Sequence, residues 1–267
     1  GNSIANISYP TPASIPQGVA SHGDKTYIVD AFTGNLSVYQ NLVLINSSLI
    51  SATLGVTVDQ DGKIYVTRGS YIDVYSPDLI LLDTITQSLQ IEDIAVSPDG
   101  RIFATNYLNG NVTVFSPDYE IIGGIGQLGI GVGDFDYPMG IAVNLQGYIF
   151  VADHDLSRVQ IYSPDLLLVG SITGILFPHG LEVDNTGRLY VTSTTGSTNN
   201  VTVWETSDLG DNEGPSITEV QINPSSPISD EDVVVSAMIT DLTGIDYANL
   251  TYSYIGGNTT SLIMTSV

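Results

Sequence analysis

A chain of 267 residues with six Lys and Arg against 29 Asp and Glu carries a formal charge of −23, which argues against nucleic acid and anionic lipid as partners, since nothing here could neutralise a run of phosphates. Charged residues are only 13% of the chain, so the acidity comes from missing bases, with Ser, Thr, Asn, Gly and Tyr filling the polar positions. Cysteine is absent, which excludes a disulfide framework, a thiolate metal site and a cysteine nucleophile.

No apolar run approaches the roughly 18 residues of a membrane span. No basic-then-apolar leader stands at Gly1, so any targeting peptide is expected to have been removed or left out. The length suffices for a sizeable core in one large all-β domain, or in one domain plus a smaller neighbour.

The first predicted element is a strand at residues 4–9. From Pro16 onward one pattern recurs five times: a short apolar strand opening near Gly, a Gly or Asp-Gly turn, an aromatic strand, a variable loop, and a third strand ending in an aromatic. The first copy reads Pro16-Gln17-Gly18-Val19-Ala20, Tyr27-Ile28-Val29-Asp30 and Leu36-Ser37-Val38-Tyr39. The second has Leu54-Gly55-Val56-Thr57-Val58, Lys63-Ile64-Tyr65-Val66 and Ile72-Asp73-Val74-Tyr75. In the third stand Asp93-Ile94-Ala95-Val96, Arg101-Ile102-Phe103 and Val112-Thr113-Val114-Phe115.

The fourth copy follows a Gly-rich insertion at 123–136 and reads Pro138-Met139-Gly140-Ile141-Ala142-Val143, Tyr148-Ile149-Phe150-Val151-Ala152-Asp153 and Arg158-Val159-Gln160-Ile161-Tyr162. The fifth has Pro178-His179-Gly180-Leu181-Glu182-Val183, Arg188-Leu189-Tyr190-Val191 and Val201-Thr202-Val203-Trp204. Second-strand aromatics stand at 27, 65, 103, 150 and 190, and the insertion explains the one long step.

A fourth apolar segment follows the third strand, as in Leu79-Ile80-Leu81-Leu82. Four β-branched strands in about forty residues predict a propeller blade, which cannot bury its faces alone. A parallel solenoid is the competing architecture, but its coils are usually shorter.

The fifth copy lacks a fourth strand, because Glu205 runs into a polar loop. Residues 4–9 precede Pro16-Gln17-Gly18 much as residues 169–173 precede Pro178-His179-Gly180, so the N-terminal strand is expected to complete the last blade. Closure of this kind removes exposed sheet edges. The expected fold is therefore an all-β propeller of five four-stranded blades over residues 1–207.

A linker is expected at 208–215. Beyond it the repeat stops, and strands are predicted at 216–223, 233–241, 248–254 and 261–265. Residues 216–267 are too few for a whole sandwich of about 100 residues, so a partial β-sandwich is expected, completed by further chain or by another subunit's strand.

The fourth copy resembles the NHL-repeat family: Gly131-Val132-Gly133-Asp134-Phe135-Asp136-Tyr137-Pro138-Met139-Gly140 looks like its blade entry, and Tyr148 to Tyr162 like its middle strands. The likeness covers roughly residues 1–206 and weakens in the first and fifth copies. The C-terminal strands resemble the first half of an immunoglobulin-like or fibronectin type III-like module of prokaryotic surface proteins. Propellers similar to the NHL type include an amidating lyase and sugar-lactone hydrolases, whose metals sit where inner strands meet the channel.

In this chain the equivalent positions are Gln17, Leu54, Glu92, Met139 and His179. They do not reproduce a three-histidine zinc ring. Gln17, Glu92, Met139 and His179 are thus a candidate channel-mouth ligand site rather than a metal centre, with a channel-lining His179 as the plainer reading. His154, in Asp153-His154-Asp155, reads as an exposed turn, and His22 as a structural turn residue.

Asp59-Gln60-Asp61-Gly62 and Asp99-Gly100 resemble pieces of calcium loops but lack the further oxygen ligands of a full site. They read as hairpin turns, leaving room for weak, non-specific calcium and no expected cofactor. No phosphate-cradling Gly loop and no Gly-x-Ser-x-Gly elbow occurs.

Seven Asn-x-Ser/Thr sequons occur, at Asn6, Asn35, Asn46, Asn111, Asn200, Asn249 and Asn258. Some arise by chance in an Asn- and Thr-rich chain, but most fall at predicted strand edges and turns, where covalent glycans fit. The composite expectation is a non-enzymatic, N-glycosylated extracellular structural subunit of a cell-surface coat or filament. It would associate with copies of itself or with neighbouring surface proteins. The alternatives are a channel-mouth enzyme or ligand-binding propeller of lyase or lactonase type, and a protein-recognition adhesin head.

Overall fold

The structure is a computed structural model that describes residues 16–50, 54–86, 90–194 and 199–206, together with four later strands. The chain divides into two compact units, Gly1–Glu205 and Thr206–Val267. All described regular elements are strands.

The first unit is built from consecutive antiparallel sheets. The first blade comprises β1 (Pro16–His22), β2 (Lys25–Asp30), β3 (Asn35–Gln40) and β4 (Val43–Leu49). The second has β5 (Val56–Val58), β6 (Ile64–Arg68), β7 (Tyr71–Tyr75) and β8 (Leu81–Thr86). β9 (Ile91–Val96), β10 (Ile102–Asn106), β11 (Asn111–Phe115) and β12 (Ile121–Ile125) form the third. The fourth contains β13 (Pro138–Val143), β14 (Ile149–Asp153), β15 (Arg158–Tyr162) and β16 (Leu168–Thr173). The fifth contains β17 (Pro178–Val183), β18 (Arg188–Thr194) and β19 (Asn199–Glu205).

Strands pair in chain order within every sheet. The innermost strands contact in sequence, β1 with β5, β5 with β9, β9 with β13 and β13 with β17. All five line one central cavity. The fold is thus the all-β, five-bladed propeller that the repeats predict. The fifth sheet has three strands among the described residues, and the expected closing strand at 4–9 lies outside them.

Burial explains why one repeat cannot stand alone. β10 and β14 are buried from end to end, whereas β4 is exposed over almost its whole length. Each core lies between blades. Tyr27, Val29, Leu36 and Val38 of the first blade pack on Val56, Ile64, Val66 and Tyr75 of the second. Phe103, Val112 and Val114 of the third likewise meet Ile141, Ile149 and Val151 of the fourth.

The turns follow the sequence cues. Asp59 accepts the amides of Asp61 and Lys63 on Oδ1, at 3.0 and 2.8 Å, and the Tyr65 hydroxyl on Oδ2 at 3.1 Å. Gly62 and Gly100 take φ of 82° and 83°, the conformation that calls for glycine. Asp59 therefore spends its carboxylate on a hairpin. His22 lies half-buried against the turn of the next blade, near Gly62.

The Ser-Pro-Asp turns between third and fourth strands put Leu79, Tyr119 and Leu166 at φ of 63°, 69° and 65°. Left-handed backbone costs a non-glycine residue about 1–2 kcal/mol. Packing offsets it here, because all three side chains pack against cores between blades.

In the second unit, β20 (Ser216–Asn223) pairs antiparallel with β21 (Val234–Thr240), and β22 (Ala248–Tyr252) with β23 (Thr260–Met264). These are two separate two-stranded sheets among the described residues. The linker expected at 208–215 lies outside them.

Candidate functional site

Antiparallel pairing in chain order places the turns between second and third strands on one face of the disc, together with the entries to each blade. This is the upper face; the hairpins joining first to second and third to fourth strands form the lower one. Along the axis runs a cavity of about 540 Å³. Of the residues expected at its mouth, Gln17, Leu54, Glu92 and His179 line it. Met139 does not: it is 7% exposed, and its carbonyl accepts the Thr105 hydroxyl at 2.7 Å.

The entries are fixed by a repeated device. Second-strand threonines present Oγ1 to the entry amides, Thr67 to Gly55 at 2.7 Å, Thr105 to Asp93 at 3.0 Å and Thr192 to Gly180 at 2.8 Å. Where the other blades have Gly18, Gly55, Gly140 and Gly180, the third has Asp93. Its carboxylate accepts the Ile141 amide of the next blade at 3.1 Å. On the other side, a Cβ at Gly55 would come within 2.6 Å of Asp93 Oδ1, so glycine there leaves room for the carboxylate.

Burial pushes the Asp93 carboxyl up to about 6. Glu182 also lines the cavity, open to channel water yet surrounded by protein, and desolvation followed by the Asp93 charge raises it to about 7. Desolvation raises Glu92 as well. The sequence reading missed Asp93 and Glu182, although both break a column: Asp93 replaces glycine, and Glu182 stands where the other blades have Ala20, Thr57, Ala95 and Ala142.

Above this acidic channel, aromatic rings from three blades meet on the upper face. Tyr107 lies 5.0 Å from Tyr137, Tyr137 6.0 Å from His154, and His154 5.2 Å from Phe177 and 6.5 Å from His179, between ring centroids. Tyr137 and Phe177 have φ of 67° and 49°, each directly before a proline. They remain 39% and 42% exposed, so core packing does not offset their strain.

His154, expected on an exposed turn, is instead half-buried between these two rings, because its turn folds back onto the blade entry: its amide donates to the Tyr137 carbonyl at 3.2 Å. Its Nδ1 lies 2.6 Å from Asp155 Oδ1. Desolvation, with the charge of His154, holds His179 below the usual histidine value.

The insertion entering the fourth blade lies on the same face. Arg158 Nη2 donates to the carbonyls of Gly131 and Asp134, both at 2.8 Å, while its Nε pairs with the buried Asp153 at 2.8 Å. Gln160 donates to the Asp134 carbonyl at 2.6 Å and accepts the Gly133 amide at 3.0 Å. Phe135 is fully buried beside Tyr162.

Among the described residues no group of three or more His, Asp or Glu side chains is arranged to hold a metal ion. Asn46 and Asn200 are exposed, whereas Asn35 and Asn111 are half-buried at the starts of β3 and β11. Asn249 lies on β22, and Asn6 and Asn258 fall outside the described residues.

No protein-family model matches the chain, and no curated protein is detectably similar in sequence. The fold, by contrast, has many solved counterparts. A streptogramin B lyase matches with a TM-score of 0.58 and 15% identity, over 79% of this chain and 75% of that one. A chain of the nidogen/laminin complex matches with a TM-score of 0.58 and 16% identity, over 71% of this chain and 76% of that one.

A catalytically inactive histidine-to-alanine variant of virginiamycin B lyase from Staphylococcus aureus, with quinupristin, matches with a TM-score of 0.56 and 15% identity over 74% of this chain and 72% of its own. Identities this low establish shared architecture alone. The likeness to NHL repeats stays a resemblance of motifs. This chain carries a five-bladed propeller whose fold is similar to that of a streptogramin B lyase and of a chain of the nidogen/laminin complex.

Proposed function

We propose that the propeller is a recognition domain whose working surface is the upper mouth of the channel across blades 3 to 5. One observation carries the reading: the ladder Tyr107–Tyr137–His154–Phe177, in which two aromatics stand in left-handed backbone and still face solvent. Strain that packing does not offset is characteristic of sites that hold a side chain ready for a ligand. The carboxylates of Glu92, Asp93 and Glu182 beneath it favour a cationic group.

Saturation-transfer NMR with arginine amide, tyramine and methyl glucoside as probes tests this. Arginine amide and tyramine should bind, and a Tyr137→Ala/Phe177→Ala variant should lose the signal. Equal binding by the folded variant would refute the reading.

A specific observation favours a second, catalytic reading: His154 and His179 are 6.5 Å apart, and His179, held neutral by burial, is suited to accept a proton. The lyase made inactive by loss of a histidine supplies the analogy. Turnover of a cyclic depsipeptide such as quinupristin, abolished by His179→Ala, would establish it, and absence of turnover by the intact chain would remove that substrate class. The expectation of a glycosylated coat or filament subunit draws on the sequons and the C-terminal strands; the upper-face geometry favours recognition.

A further inference from the structure

We infer that the upper face docks a protein segment presenting a lysine or arginine side chain flanked by apolar residues. This rests on the mouth being a recognition surface and names the class of its partner.

The insertion supplies the apolar part. Its backbone is tied down by Arg158 and Gln160 and by the buried Phe135, yet Ile130 and Val132 are 79% and 86% exposed. A loop fixed with branched aliphatics in water offers apolar contact with little ordering cost on binding. The loop is also pressed against the third blade, since a Cβ at Gly110 would meet Leu128 Cα at 2.5 Å. That contact brings Leu108, 57% exposed on the adjoining turn, to the same region.

The backbone that carries the apolar residues leads into the mouth. The insertion runs directly into Tyr137, and the Asp136 amide donates to Asp153 at 2.9 Å. Aliphatic platform and aromatic ladder therefore share one backbone connection.

Charge selects the cation. The two arginines of the upper face, Arg68 and Arg158, are engaged by Asp73 and Asp153, each at 2.8 Å. Glu92, Asp93 and Glu182 line the cavity, and Asp155 stands beside His154. Aromatic ring faces next to carboxylates attract an ammonium or guanidinium group. A small cation would fill the mouth and leave Ile130 and Val132 in water, whereas a chain segment covers both.

The test is selection of a phage-displayed library of random linear peptides on the whole chain, followed by titration of the best synthetic peptide. Enriched sequences should carry Lys or Arg beside Leu, Ile, Val or an aromatic residue. Affinity should fall about tenfold in Ile130→Ser/Val132→Ser, which alters two exposed side chains and leaves the core untouched. Enrichment without a basic residue, or undiminished affinity in that folded variant, overturns the proposal.

An empty selection overturns it too, and the arginine amide probe then separates the two levels. If the probe still binds at Tyr137 and Phe177, the mouth remains a recognition surface for small cations. If it does not, both readings fall.

Discussion

The Ser-Pro-Asp turns of the lower face and the pre-proline aromatics of the upper face place side chains in the same strained backbone for opposite ends. Leu42, left-handed and 55% exposed in the lower-face turn between β3 and β4, stands apart from both. On the lower face Leu79, Tyr119 and Leu166 adopt left-handed φ and pack against cores between blades. On the upper face Tyr137 and Phe177 adopt it and stay near solvent, their rings tilted against His154. Strain repaid by packing is architecture, whereas strain left open at the mouth of an acidic channel points to a ligand.

Breaking the anchor of the upper face should have the largest effect. Arg158→Ala leaves Asp153, whose side chain is fully buried, without its ion pair and removes a donor from the Gly131 and Asp134 carbonyls of the insertion, the second of which keeps Gln160. Loss of one partner from a buried pair costs about 3–5 kcal/mol, readable by urea denaturation. Arg68→Ala should cost less, because the Arg68 side chain is already 34% exposed.

The strain comparison itself is sharpened by glycine. Tyr137→Gly should relieve about 1–2 kcal/mol of backbone strain, offset in part by the greater freedom of the unfolded chain, and so leave the melting temperature level or raised while ligand binding is lost. Leu166→Gly relieves the same strain but forfeits core packing, so it should lower the melting temperature. Equal changes at the two positions would erase the distinction between the faces.

A smaller effect is expected from pH. The carboxyls of Asp93 and Glu182 are raised to about 6 and about 7, above the usual values near 4. The native state therefore binds their protons more tightly than the unfolded chain does. Stability should increase as pH falls from 8 to 5, with no further gain from these groups below the unfolded values.

Asp184 works the other way. The Thr186 hydroxyl and neighbouring amides hold its carboxyl below the usual range, so its contribution fades only below about pH 4. Glu182→Gln should flatten the rise between pH 8 and 5 in a thermal-melt series. An unchanged slope would show that the channel carboxylates are solvated like surface groups.

Much of the fold was legible because blade periodicity is written in residue types: aromatics at 27, 65, 103, 150 and 190, with Gly turns between. Column comparison also reached Gln17, Glu92 and His179. Met139 matched the column but is buried and does not line the cavity.

Tyr107, Tyr137, His154 and Phe177 are scattered over some seventy residues and meet only when blades pack side by side. Local rules misdirect here as well. A residue before proline is expected to be extended, yet Tyr137 and Phe177 are left-handed. Asp93 and Glu182 were visible as departures from their columns, but only the structure shows that their blades face one channel.

Tyrosine-selective isotope labelling with NMR titration of arginine amide tests the central claim most directly. Resonances of Tyr107 and Tyr137 should shift on titration, while Tyr65, bound to the lower-face carboxylate Asp59 and outside the cavity lining, should stay in place. A shift confined to Tyr65, or no shift at Tyr137 at saturating probe, would contradict it.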